Sequence, residues 1–264
     1  MKKLLILFTA LSFIAISCSS EDGSSSGDTS VLPQTISFIY PGAYLGRNGT
    51  STLSFNGNKI VSTINEYSKT VFTYTGDVIT KQEVFDVDEQ GKETKTDEVV
   101  YTYENGKLKT RIFKENITDQ YPDGYYIEKV VYNHISNESI SFINYNVDRD
   151  TKAEIKSSEG SLTYKNGNLI KEQRTSNSVT ITREYEYDTK NNPLKNVAGF
   201  KLLLNEISEV GQNNVVKTTA KSSEHSNTAV YLTTYDYNDK DYPTKHTSYD
   251  SWGVSIEYEM YFTY

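Results

Sequence analysis

The chain has 264 residues, 36% of them hydrophobic, with 22 tyrosines, a single cysteine and a formal net charge of −8. That length can bury a sizeable core without cross-links, and one cysteine excludes an internal disulfide. The acidic balance argues against nucleic acid as a partner, because that affinity comes from Lys and Arg neutralising phosphate.

The first segment is Met1-Lys2-Lys3, an apolar run from Leu4 to Ile16, then Ser17-Cys18-Ser19-Ser20. A basic start, an apolar centre and a small residue before the cut define a secretory signal over residues 1–17. As a helix the apolar run reaches roughly 20 Å at about 1.5 Å per residue, short of the ~30 Å hydrocarbon core of a bilayer. It therefore reads as a cleaved leader. The segment Ala15-Ile16-Ser17-Cys18 resembles the lipobox of bacterial lipoproteins, with Ala15 where that family favours Leu. The resemblance implies that Cys18 is acylated, becomes the new first residue and holds the protein to a membrane, since multiple acyl chains anchor stably. Removing Lys2 and Lys3 with the leader makes the mature chain still more acidic.

Residues 18–30 contain Ser, Gly, Thr and acids after the cysteine and read as a flexible tether. Ser19 is not the Asp that marks inner-membrane retention in many proteobacterial lipoproteins. Glu21-Asp22 resembles the acidic tether of surface lipoproteins of the Bacteroidetes group. The expected address is the outer membrane, at the cell surface.

Residues 31–264 read as a single domain built on a repeat. Leu53-Ser54-Phe55-Asn56-Gly57-Asn58-Lys59-Ile60 aligns with Phe72-Thr73-Tyr74-Thr75-Gly76-Asp77-Val78-Ile79. Tyr101-Thr102-Tyr103-Glu104-Asn105-Gly106-Lys107-Leu108 and Leu162-Thr163-Tyr164-Lys165-Asn166-Gly167-Asn168-Leu169 follow the same pattern. Each has an aromatic, a Gly-Asn, Gly-Asp or Asn-Gly turn, and an aliphatic at constant spacing. A primed two-residue turn places that aromatic and aliphatic directly across from one another. Continuing the register in the third copy pairs Thr102 with Lys109, Tyr101 with Thr110 and Val99 with Ile112. Val99, Tyr101, Tyr103, Leu108 and Ile112 then share an apolar face, and Thr102, Glu104, Lys107, Lys109 and Arg111 share a charged one.

Weaker copies follow at Val131–His134, Tyr185–Asp188 and Tyr235–Asn238. The repeat is interrupted from Lys195 to about Ser226, with a short helix expected near 200–207. Such an insertion is either a functional loop, with Phe200 as a binding residue, or a flap whose leucines cover an open end of the sheet. Trp252, in the turn Tyr249-Asp250-Ser251-Trp252-Gly253, is either a binding residue or a ring folded back over the sheet end. The alternating segment Ser255–Tyr264 is expected to pair as a strand. These elements predict an all-β fold: an antiparallel meander of repeated β-hairpins forming one large, twisted and curled sheet, open and barrel-like. Full closure or folding over as a sandwich are the ways such a sheet hides its edges.

The units Tyr-x-x-Gly-x-Leu, clearest at Tyr103–Leu108 and Tyr164–Leu169, resemble the YD repeats of Rhs-type proteins. In that family the repeats build large spiralling sheets around a cargo, and this chain is too short for a full shell. Tyr187-Asp188-Thr189-Lys190-Asn191-Asn192-Pro193-Leu194 is similar to a segment of uncharacterised YD-like lipoproteins of Bacteroidetes, which carries no activity over.

Chemistry is sparsely signalled. His134, His225 and His246 are scattered, without the convergent spacing a metal needs. Asp86–Asp97 partly resembles a calcium loop, with Gln90 and Asp97 at positions where other ligands are expected. No Gly-x-Ser-x-Gly elbow or phosphate loop is present, and the acids are too numerous to single out a hydrolytic pair. The expectation is a non-enzymatic chain without metal or cofactor: a lipid-anchored binding or structural module at the outer membrane, contacting a glycan or an envelope protein. The alternatives are a periplasm-facing carrier of an apolar ligand and a glycan-processing accessory enzyme.

Overall fold

The computed structural model describes residues 31–41, 48–206 and 211–264, so the tether and the candidate anchor Cys18 lie outside the described residues. The first eight strands are β1 (Thr35–Ile39), β2 (Gly49–Asn56), β3 (Lys59–Ile64), β4 (Ser68–Thr75), β5 (Val78–Val87), β6 (Glu93–Glu104), β7 (Lys107–Glu115) and β8 (Tyr126–His134). Then come β9 (Ser139–Val147), β10 (Glu154–Lys165), β11 (Asn168–Ser176), β12 (Val179–Tyr187), β13 (Val215–Ser222), β14 (Thr228–Tyr237), β15 (Pro243–Tyr249) and β16 (Ile256–Thr263). Each is antiparallel to its predecessor, and β16 pairs with β1. The sheet is therefore a closed barrel, not the open form expected. Closure is completed at Thr35 and Thr263, whose hydroxyls lie 2.7 Å apart.

Turn chemistry sets the local structure. Asn105 and Gly106 both have positive φ, at 52° and 74°, as a type I′ turn requires, and Asn166-Gly167 repeats it. The same end of the barrel carries the Gly57 and Gly76 turns, and we call it the tight-turn rim. Tyr103 pairs with Leu108, as the repeat predicts, but the register then slips. Thr102 pairs with Thr110, Tyr101 with Arg111 and Val99 with Phe113, leaving Lys109 as the extra residue of a β-bulge. The expected partners of Thr102, Tyr101 and Val99 are thus each wrong by one, and Arg111 turns inward while Ile112 turns outward. Equivalent slips follow Ile60, Ile79, Leu169, Val215 and Pro243. A bulge bends its strand and raises the local twist, and its repetition around the sheet promotes closure.

The bulges also account for four of the tyrosines. Tyr103 Oη donates to Ile79 O at 2.7 Å, Tyr187 Oη to Leu169 O at 2.7 Å, Tyr235 Oη to Val215 O at 2.9 Å and Tyr264 Oη to Pro243 O at 2.9 Å. His134 Nε2 makes the same contact to Leu108 O at 2.8 Å. Every acceptor immediately precedes a bulged residue, so each ring latches its hairpin onto an earlier one. Phe cannot make this bond. Tyr103→Phe is expected to cost about 1–2 kcal/mol by leaving a carbonyl unpaired. Tyr164 Oη is buried without a hydrogen-bond partner among the described residues. Tyr164→Phe is therefore expected to be neutral or stabilising. Urea unfolding of the two variants side by side checks the contrast; equal losses would refute it.

The core lies inside the barrel, toward the tight-turn rim. Ile60, Ile79, Leu108, Ile140 and Leu162 point inward and are buried. The described chain between β12 and β13, residues 188–206 and 211–214, folds across this end and adds buried Val197, Phe200 and Leu203, the last two within a 3-10 turn at Phe200–Leu203. This excursion is shorter than the interruption expected at about 195–226, because Val215–Ser222 is a regular strand.

The outer face is charged. Cross-strand ion pairs include Lys69–Glu93 at 2.8 Å, Lys95–Glu83 at 2.7 Å, Lys129–Glu154 at 2.7 Å, Lys217–Glu186 at 2.7 Å and Lys245–Glu259 at 2.7 Å. A barrel that crosses a membrane has the reverse polarity, an apolar band about 25 Å tall outside and polar groups within. Lys and Arg on a lipid-facing midplane cost about 2–4 kcal/mol each. This exterior is built for water.

Candidate binding site in the barrel lumen

The excursion is pinned at two points. Ala198 N donates to Asn58 O at 2.8 Å, and Tyr74 Oη donates to Ala198 O at 3.0 Å. Gly199, at φ +81°, passes so close to the wall that a Cβ there would stand 3.1 Å from Asp77 O. Further along, Glu206 accepts from Arg111 Nε at 2.7 Å and from Tyr132 Oη, and Arg111 also faces Glu128 at 3.7 Å. Burial pushes the Glu206 carboxyl above the ordinary glutamate range, against the pull of Arg111. Burial, reinforced by the Glu206 charge, likewise holds the Tyr132 phenol protonated.

Leu204 and Asn205 form a floor, and above it the lumen holds a cavity of about 490 Å³ walled mainly by β11 to β16. Its wall presents Tyr185, Tyr231 and Tyr258 together with Glu172 and Arg183. Glu172 accepts from Tyr185 Oη at 3.2 Å, and an Arg183 terminal nitrogen lies 3.9 Å away. Burial, then the Glu172 charge, pushes the Tyr185 phenol well up, so it stays a donor. A second cavity of about 830 Å³ lies toward the far rim, bordered by Ile181, Ala220, Ala229 and Trp252. Aromatic faces combined with a carboxylate, a guanidinium and an amide can hold a polar molecule that also has an apolar face.

The two binding residues read from the sequence fall at different places. Trp252 is 84% exposed on the far rim and borders the outer cavity, so it is not folded back over the sheet. Phe200 is buried, its ring centroid 6.0 Å from that of Phe72, and it fills the core instead of presenting a surface. The three histidines do not converge. His134 serves a latch, His225 lies in a far-rim turn, and His246 packs between the rings of Tyr235 and Tyr258, with burial lowering its pKa to about 4. In the calcium-like segment, Asp88 Oδ1 accepts from Gln90 N at 3.0 Å and Lys92 N at 2.8 Å, closing its own hairpin turn. Among the described residues no group of three His, Cys, Asp or Glu is arranged to hold a metal.

Sequence reasoning missed Glu172, Arg183 and Tyr185. Alternation back from inward-facing Tyr187 puts Tyr185 and Arg183 inside, a signal that was available. Glu172 faces inward only because Ile170 is bulged out between Leu169 and Lys171.

No family model matches the chain, and no curated protein does. Among solved structures, a porin-like protein of Bacteroides vulgatus superposes with a TM-score of 0.59 at 13% identity, covering 89% of this chain and 98% of that one. A porin-like protein of Bacteroides uniformis gives a TM-score of 0.47 at 11% identity, covering 88% and 97%. The first likeness shows the fold alone, a closed antiparallel barrel. This chain combines that fold with a charged exterior and a filled tight-turn end.

Proposed function

We propose that this chain is a non-catalytic, lipid-anchored binding protein of the outer membrane, and that it takes a polar, ring-bearing ligand into its open lumen. The carrying observation is the tyrosine-walled cavity holding Glu172 and Arg183 inside a barrel whose tight-turn end is packed with side chains. The porin-like neighbours support an outer-membrane-related role, and the water-facing exterior favours an anchor outside the barrel, which Cys18 would supply. A carrier of apolar ligands is less well supported, because Val197, Phe200 and Leu203 already occupy the apolar end. A hydrolase is less well supported too, since the Glu172 carboxylate is engaged by Tyr185 and Arg183.

The anchor would also orient the molecule. The described chain begins at Val31, whose carbonyl accepts from Asn196 of the excursion, and Gln34 N bonds Thr263 O. A tether from Cys18 would therefore join the barrel at its filled end.

Two measurements test the proposal. Metabolic palmitate labelling should be lost in Cys18→Ser, with the protein leaving the membrane fraction; retained label elsewhere in the chain sinks the anchor. The sole tryptophan, Trp252, stands at the lumen mouth and is a built-in reporter. Titration with a panel of linear oligosaccharides should shift its emission saturably, and Tyr231→Ala should weaken the response about tenfold or more. A flat response across the panel would argue against a ring-bearing polar ligand.

A further inference from the structure

Strand alternation orders the two cavities along the barrel, the outer one at the β13–β14 turn. Along β14 the inward positions are Ala229, Tyr231 and Thr233, the first bordering the outer cavity and the other two the inner. Along β12, Ile181 borders the outer cavity, and Arg183 and Tyr185 the inner. Thr233 to Ala229 spans about 13 Å along the strand at ~3.3 Å per residue. With the usual barrel tilt of 35–45° that is about 10 Å of depth. The outer one is the more open to solvent. The inner one stops on Leu204 and Asn205, beneath which Leu203 is fully buried and Phe200 and Val197 continue the packing.

A cleft open at both ends can grip a polymer anywhere along its length. A tube stopped at one end admits only a terminus. Resting on the binding reading above, we infer that this lumen recognises the free end of a saccharide chain. The terminal ring reaches the floor among Asn205, Glu172 and Tyr185, where polar groups on both sides can read its hydroxyls. The following ring lies against Tyr231, and only longer chains reach Trp252 at the rim. Specificity then resides in the terminal ring, and length adds affinity only until the rim is reached.

The test uses the purified protein with linear gluco-, manno-, xylo- and galacturono-oligosaccharides of graded length. Each is presented with free ends, with the reducing end reduced, or with the terminal non-reducing ring O-methylated, and cyclic glucans serve as endless controls. Blocking one particular end should weaken binding about tenfold or more, while blocking the other should leave it unchanged. Tyr231→Ala should weaken every length that binds, and Trp252→Ala only the longer ones. Binding of cyclic or doubly blocked chains as tightly as free ones would overturn end recognition while leaving a saccharide site standing. An equal effect of Trp252→Ala at all lengths would overturn the depth order. Failure of every oligosaccharide to bind would overturn this inference and the ring-bearing ligand together.

Discussion

Replacing Arg111 with Met is expected to destabilise the protein by about 3–5 kcal/mol, the cost of leaving one member of a buried ion pair alone. The arginine and Glu206 side chains are only 17% and 11% exposed, and the carboxylate fixes the segment after the 3-10 turn to β7 and β8 through Arg111 and Tyr132. Without the guanidinium, Glu206 is left beside the Glu128 charge with only Tyr132 and its own protonation to stabilise it. Burial already raises this carboxyl in the folded state, and loss of Arg111, which lowers it, raises it further. An acid whose folded pKa exceeds its unfolded one binds more protons when folded, so its contribution to stability falls as pH rises through that interval. The penalty in Arg111→Met should therefore be largest near neutral pH and shrink toward about pH 5, approaching the ordinary glutamate range near 4.3. Glu206→Gln on the Arg111→Met background should recover part of the loss at neutral pH. Urea midpoints across pH check this; a penalty independent of pH, or no rescue, would show that the pair does not hold the excursion.

The pair also shows which parts of this fold were legible. Alternation, primed-turn residues and constant aromatic-to-aliphatic spacing determine hairpins, their order and the apolar identity of the inner face, and Tyr103 opposite Leu108 follows from these alone. The bulges were not legible, because a residue such as Lys109 or Thr80 is chemically ordinary for a strand and its displacement is a property of the pairing. One missed residue per hairpin reverses every assignment beyond it, which is why Arg111 and Glu172 were not expected in the lumen. Closure depends on the cumulative twist of sixteen strands and the meeting of β1 with β16, a long-range event with no local signature. The fate of Phe200 was undecidable for the same reason: core flap and binding loop have the same composition, and only the barrel behind it distinguishes them. The charged outer face was visible as alternating Lys, Glu and Thr. Its meaning depends on closure, since only a closed barrel raises the question of whether lipid or water surrounds it.

Gly160→Ala should be the second most damaging single change. Gly160 is an inward position of β10, paired with Phe142 on β9 and Arg174 on β11. A Cβ there would stand 2.1 Å from Gln173 O and 2.5 Å from Phe142 Cζ. The aromatic ring thus lies over the glycine, an arrangement that covers bare backbone within a sheet. Overpacking typically costs 1–3 kcal/mol, and with a backbone oxygen as the nearest obstacle we expect about 3 kcal/mol or more. The displacement should propagate. Phe142 packs 6.3 Å from the ring of Tyr132, and Tyr132 donates to Glu206. If the ring is pushed off Gly160, the hydroxyl that helps hold the excursion moves with it, so Gly160→Ala combined with Arg111→Met should destabilise by less than the two separate losses added. Phe142→Leu should rescue Gly160→Ala only in part, because it relieves the ring but leaves the Gln173 carbonyl in place. Strict additivity would place the two sites in independent regions of the barrel. Full rescue by Phe142→Leu would show that the ring, and not the neighbouring strand, is what confines this position to glycine.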